Sequence, residues 1–264
     1  MPFAELPDVR VRYEVRGDAP RAIVFSHGFL MDHEMFDEQV AVLQESFRCI
    51  TWDQRGHGET VAAKPFTYWD SARDLVGLLD HLQTPDAVLV GMSQGGFVAL
   101  RVALTAPERV RAIAFLDSQA GTEDPAVRPA YDALFQLWVD EGVSDDVAVT
   151  VAGIILGDAD PGPWMTKWKE RPPDQVRRIY EALMGRENLH DRLGEVTCPA
   201  IVVHGTADAA IPLEKAHRLC DGLADCRGVV AVEGGGHAVN LTHPLEVTGA
   251  LERFVTGLRP VGGV

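Results

Sequence analysis

The sequence predicts an α/β protein: a mostly parallel central sheet flanked by helices, with a helical lid inserted between two of its strands. Three observations lead there. Short apolar runs alternate with stretches of helical spacing along most of the chain. Some of those runs, such as Ala22-Ile-Val-Phe25, are apolar throughout, as strands covered on both faces are. The alternation lapses from Gly121 to about Leu193, where Pro, Gly and helical pieces replace strand character. The expected division is a core made of residues 1–120 and 194–264, with 121–193 as the lid.

In order along the chain, Val9-Arg-Val-Arg-Tyr-Glu-Val15 alternates apolar and polar, as a half-buried antiparallel strand does. The run ending at Ser26 stops at His27-Gly28-Phe29. A helix is expected from about Met35 to Ser46, with Phe36, Val40 and Leu43 on one side. Cys49-Ile-Thr-Trp52 is the next strand, followed by the polar loop Asp53-Gln-Arg-Gly56-His57-Gly58. Trp69 to Leu82 carries one buried stripe, at Ala72, Leu75, Val76, Leu79 and Leu82. Ala87-Val-Leu-Val90 is a buried strand that breaks at Gly91, and helical spacing resumes at Phe97, Leu100 and Leu104. Val110–Leu116, Ala200–His204 and Val229–Val232 are further strands, and helices start near Leu213 and Pro244. Inside the lid, Tyr131–Val139 and Gln175–Met184 have helical spacing. Trp138, Trp164 and Trp168 cluster there, either as lid core or as lining of a substrate pocket.

A chain of 264 residues suits one large α/β domain with a sizeable core. Its net charge of −15 argues against non-specific binding to nucleic acid or to an anionic membrane, since both need a basic face. No apolar stretch is long enough for a membrane helix, and the start lacks the basic and apolar regions of a signal peptide. A cytoplasmic location is the expectation. The four cysteines show neither a disulfide nor a zinc framework. Cys49 and Cys198 are expected as buried thiols; Cys220 and Cys226 lie near enough to pair, but free thiols suit an intracellular chain better. No phosphate-binding loop or metal cluster competes for the function, and a homo-oligomer is compatible with the sequence.

Gly91-Met92-Ser93-Gln94-Gly95 fits G-x-S-x-G between a strand and a helix. The pattern alone is weak; its setting adds the weight. The turn must be sharp, glycine at both ends relieves steric conflict, and the following helix aims its free N–H groups at the same spot. A serine hydroxyl needs a base, and the base needs an orienting carboxylate. Asp117 ends the strand after the serine helix, where it would serve either as that acid or as a cap for the first lid helix. Asp208 and His237 each follow a strand, at the sheet edge that carries Ser93. Nine histidines make any one of them weak evidence; His27 and His57, in glycine turns, are read as structural. The attacked carbonyl oxygen needs preorganised donors, which the backbone N–H groups of Gln94 and Phe29 are placed to supply.

His27-Gly28-Phe29, Asp53-Gln-Arg-Gly-His-Gly58, Gly91-x-Ser93-x-Gly95, Gly205-x-x-Asp208 and Gly236-His237 occur in the order seen in the α/β-hydrolase superfamily, which the chain resembles over nearly its whole length outside the lid. The resemblance implies the fold, the triad Ser93-Asp208-His237 in the superfamily's order, and a hydrolase without a cofactor. Ser93 sets the chain apart from epoxide hydrolases and haloalkane dehalogenases, whose nucleophile is Asp. Ala238 sets it apart from meta-cleavage C–C hydrolases, which usually have Trp there. His237-Ala-Val-Asn240 looks more like 3-oxoadipate enol-lactonases and related esterases, although Gln94 departs from their usual Gly. The implied activity is hydrolysis of a small carboxylic ester or lactone; the alternatives are C–C hydrolysis of a β-diketone-like acid, or a ligand receptor with slow turnover.

Overall fold

The computed structural model describes residues 2–157 and 159–258. The N-terminal strands β1 (Phe3–Glu5) and β2 (Arg10–Arg16) form an antiparallel pair. The chain then continues through β3 (Ala22–Ser26), α1 (Asp37–Leu43), β4 (Arg48–Trp52), α2 (Tyr68–His81), β5 (Ala87–Met92), α3 (Gln94–Thr105) and β6 (Val110–Leu116). Four helices follow before the next strand: α4 (Arg128–Glu141), α5 (Asp145–Ile155), α6 (Gly162–Glu170) and α7 (Pro173–Met184). β7 (Ala200–Gly205), α8 (Leu213–Gly222), β8 (Cys226–Val232), α9 (Val239–Thr242) and α10 (Pro244–Gly257) complete it. The sheet order is β1-β2-β4-β3-β5-β6-β7-β8, with every pair from β4 to β8 parallel and β2 antiparallel to β4.

The apolar runs of the central strands are explained by their two covered faces. Ile23, Phe25, Val88, Val90, Ala112 and Ala114 enter one core, which includes α1, α10 and the inserted helices. Val24, Leu89, Ile113 and Phe115 enter the other, under α2, α3 and α8. Each fully buried Val, Leu, Ile or Phe side chain contributes roughly 1.5–3 kcal/mol, so both faces select for apolar residues. The parallel strands also bring the ends of β3, β5, β6, β7 and β8 to one edge, where the loops carrying the candidate catalytic residues begin.

Three local expectations change. The strand β5 does not break at Gly91 but runs on to Met92, its last residues paired with Phe115 and Leu116 of β6. The first helix is shorter than Met35–Ser46: a 3-10 turn, His33–Phe36, precedes it, with the Asp32 carboxylate accepting from Glu34 N–H. At its end the N–H groups of both Ser46 and Phe47 turn back to Leu43 C=O, which closes the helix. Cys220 and Cys226 are joined in a disulfide rather than free, because the turn from α8 into β8 brings their Cα atoms to 5.4 Å. Cys49 is a buried thiol, its pKa pushed up to about 12 by burial. Among the described residues no helix is long and apolar enough to cross a membrane.

Candidate active site

The turn from β5 into α3 holds Ser93 at φ 49° and ψ −111°, a conformation that L-residues rarely adopt and that costs about 1–3 kcal/mol. The surrounding hydrogen bonds over-determine it. Ser93 N–H donates to Leu116 C=O at 2.8 Å, and Ser93 C=O accepts from Gly96 N–H and from the Ser118 hydroxyl. The two flanking glycines are required by close approach. A Cβ on Gly91 would lie 2.4 Å from the Gly95 carbonyl carbon, and one on Gly95 would lie 1.9 Å from Ser26 C=O. The elbow can therefore press against β3 only because no side chain stands between them.

Ser93 Oγ lies 3.1 Å from His237 Nε2, and His237 Nδ1 lies 2.8 Å from Asp208 Oδ2. The other Asp208 oxygen accepts from the N–H groups of Ala210 and Ile211. Burial would raise the Asp208 pKa, but the charge and hydrogen bond of His237, the Ile211 N–H and the nearby His204 outweigh it, so the carboxyl sits below its ordinary value. A carboxylate there makes His237 Nδ1 a donor and leaves Nε2 free to accept the serine proton. His204 lies behind the acid, its Nε2 donating to Ile211 C=O at 2.7 Å and standing 3.3 Å from Asp208 Oδ2. Burial lowers the His204 pKa and keeps the ring neutral.

Asp117 has a different environment from either expectation. It does not cap α4, and its oxygens face backbone rather than His237. Oδ1 accepts from Gly205 N–H at 2.8 Å and Oδ2 from Val239 N–H at 3.0 Å. The carboxyl thus ties the end of β7 to the start of α9, two residues beyond His237. Burial first, and the Asp208 charge second, raise its pKa well above the ordinary value. Asp117, His204 and Asp208 are close enough to share an ion. Their oxygens and the His204 Nε2 are engaged by the backbone and by His237, while His204 Nδ1, 3.8 Å from Asp117 Oδ1, has no hydrogen-bond partner among the described residues.

Neither Phe29 N–H nor Gln94 N–H has a protein acceptor among the described residues, and Gln94 opens α3, where the first N–H groups have no partner within the helix. The Phe29 loop is set by neutral buried histidines. His27 Nδ1 donates to Gly28 C=O and its Nε2 accepts from Gln54 N–H; burial drops its pKa to about 4. The Gln94 side chain is fully buried, accepting from the Tyr68 hydroxyl and donating to His57 Nε2. It therefore braces the elbow from behind and does not line the cavity.

That cavity, about 80 Å³, opens onto Ser93 and His237. Phe29, Met92, Phe97, Phe135, Ile155 and Leu183 form much of its apolar wall, and Glu123 and Tyr131 add polar groups. Trp138, Trp164 and Trp168 do not line it, which corrects their assignment to the pocket. On α4 the stripe Tyr131, Leu134, Phe135, Trp138 shares one face, but Trp138 lies about 10 Å beyond Tyr131 along the axis. Its ring stacks on Phe135 and packs 6.3 Å from Trp168, whose indole N–H donates to Leu30 C=O beside the Phe29 loop. Trp164 is buried against the Lys167 ammonium. Trp138→Ala should accordingly cost about 3–5 kcal/mol of stability, read as a lower melting temperature. An unaltered melting temperature would show that Trp138 is not part of the packed helical core.

Glu123 and Tyr131 were not singled out by sequence reasoning. Helical spacing shows which residues share a face, but not which end of that face meets a cavity.

A family model described as alpha/beta hydrolase fold matches residues 21–244. The chain is 30% identical over 268 residues to the "Putative carbamate hydrolase RutD" of Variovorax paradoxus, covering 96% of this chain and 98% of that one. It is 25% identical to 3-oxoadipate enol-lactonase 2 of Acinetobacter baylyi, covering 93% and 92% of the two chains. Among solved structures, the enol-lactonase from Burkholderia xenovorans superposes with a TM-score of 0.88 at 24% identity, covering 97% of this chain and all 100% of that one, a likeness of fold.

Proposed function

The chain belongs to the α/β hydrolase fold family, and from that premise we propose that it is a serine hydrolase of small carboxylic esters or lactones. The observation that carries this reading is the line of contacts from Ser93 Oγ through His237 to Asp208, at 3.1 and 2.8 Å, at the mouth of an apolar cavity. As Ser93 Oγ attacks the carbonyl carbon, its proton passes to His237 Nε2 and the carbonyl oxygen takes the negative charge. Asp208 stabilises the imidazolium, while the N–H groups of Phe29 and Gln94 receive the oxyanion. A preorganised donor of this kind is worth roughly 10²–10³-fold in rate. Collapse breaks the bond to the leaving oxygen, which takes the proton from His237. Water, deprotonated in turn by His237, then attacks the acyl-enzyme, and the acid and Ser93 are released.

The relatives named for a lactone and for a carbamate support an acyl-type carbonyl as the point of attack. In this reading helices α4–α7 act as the lid that supplies the cavity's outer wall, and the partner is a small molecule. The net charge of −15 disfavours nucleic acid. A panel of p-nitrophenyl esters of graded acyl length, with γ- and δ-lactones and a carbamate beside them, tests the proposal. Turnover should be highest for short acyl groups and fall once the chain outgrows the cavity. Absence of Ser93-dependent turnover across the panel would overturn it.

A further inference from the structure

Apart from Ser93 and His237, the cavity presents polar groups at Glu123 and Tyr131. Among the described residues the cation paired with Glu123 is Arg186, which is not part of the cavity lining. The Arg186 side chain is 2% exposed. Its Nη2 donates to Glu123 Oε1 at 2.5 Å, its Nε to Gly121 C=O at 3.0 Å and its Nη1 to Leu183 C=O at 2.6 Å. The guanidinium also lies over the Phe97 ring at 4.6 Å. Each of its three nitrogens thus donates to the protein. Glu123 Oε1 is taken by Arg186, whereas Oε2 receives no hydrogen bond from a described residue. A molecule entering the cavity meets an acceptor oxygen, the Tyr131 ring with its hydroxyl, and apolar walls.

The energetics of such a wall are one-sided. A carboxylate carried in by the substrate would lose its water and face a like charge, with no Lys or Arg among the described residues lining the cavity to receive it. A hydroxyl, amide or ammonium group would instead satisfy the open oxygen of Glu123. Resting on the serine-hydrolase reading, we propose that Glu123 determines specificity. It selects esters or lactones that are uncharged, or carry a hydrogen-bond donor, on the part remote from the scissile carbonyl, and it rejects those carrying a second carboxylate. The consequence is sharp within this family, because a substrate built on a dicarboxylic acid, such as the name of the Acinetobacter lactonase denotes, would be disfavoured here.

An isosteric pair of chromogenic esters separates the cases: the p-nitrophenyl monoesters of succinate and of succinamate, which differ by a terminal carboxylate against a primary amide. The wild-type protein should show kcat/KM at least about tenfold higher for the succinamate ester, since like charges brought together strongly disfavour the wrong ligand. Glu123→Gln should narrow that ratio to within about threefold by removing the repulsion. Equal rates or a preference for the succinate ester in the wild type would overturn the inference, as would an unchanged ratio in Glu123→Gln. Should circular dichroism show that Glu123→Gln does not fold, Glu123→Asp replaces it. That variant keeps a charge for Arg186 but draws it back from the cavity, and its ratio should fall below the wild-type value; an unchanged ratio again overturns the inference. The two readings fail separately. Turnover that survives Ser93→Ala sinks the hydrolase reading, whereas Ser93-dependent turnover without carboxylate discrimination sinks only the role of Glu123.

Discussion

Ser93→Ala is expected to lower kcat/KM on the order of 10⁴-fold or more while leaving the fold intact. The geometry explains both halves of that result. The strained backbone at Ser93 is held by its own N–H and C=O, through Leu116, Gly96 and Ser118, and none of these contacts uses the side-chain hydroxyl. The hydroxyl's partner is His237 Nε2. Removing it takes away the atom that forms the acyl bond in the proposed mechanism and little else, so circular dichroism and melting temperature should match the parent. A fluorophosphonate should label the wild-type protein at Ser93 alone and leave the alanine variant unlabelled. Near-normal activity in the variant, or a label found elsewhere by peptide mapping, would sink the mechanism.

The parts legible in the sequence are those in which short-range pattern and physical need coincide. A strand covered on both faces has to be largely apolar, so β3, β5 and β6 are legible as strands, although β5 continues through Gly91 to Met92, where the apolar run alone marks its end at Val90. An elbow this tight has to have glycine at Gly91 and Gly95, where a Cβ would fall within 2.4 and 1.9 Å of backbone. Ser93, Asp208 and His237 are far apart in the chain, yet each follows a strand of one parallel sheet, so the same edge collects them. What pattern cannot carry is the direction of a side chain across a tertiary interface. Trp138 shares α4 with the cavity wall but packs away from it against Trp168, which with Trp164 lies on α6, a helix that lends the wall no residue, whereas Glu123 sits in an irregular segment with no periodicity to mark it. Gln94 departs from the family's usual residue, a change that bears on substrate only if the side chain enters the pocket. Its bonds to Tyr68 and His57 turn it into the core instead.

Asp208→Asn and Asp117→Asn should separate the two carboxylates by opposite signatures. At Asp208 the oxygen facing Ala210 N–H and Ile211 N–H must remain an acceptor, so the amide oxygen of the variant takes that place. Its NH₂ then faces His237 Nδ1, 2.8 Å from the former Oδ2. Two donors cannot meet there, so the ring proton moves to Nε2, the atom that has to accept from Ser93. Turnover should fall by up to about 10⁴-fold, the loss expected for the wrong tautomer, with little change in melting temperature. Asp117 presents the reverse case. Both of its oxygens accept from backbone N–H groups, of Gly205 and Val239, so an amide there must aim a donor at a donor. Asn would serve well at a helix cap, but between two N–H groups it is not conservative, and a buried group left unpaired costs about 1–3 kcal/mol. Asp117→Asn should therefore melt earlier, yet hold kcat/KM within about tenfold of the parent, since it touches neither His237 nor the reacting atoms and a tenfold loss already corresponds to about 1.4 kcal/mol of barrier. Paired measurements of kcat/KM and melting temperature decide the matter. A crippled but stable Asp117→Asn beside an active Asp208→Asn would move the acid to Asp117 and require His237 to turn away from the partner it has in this structure.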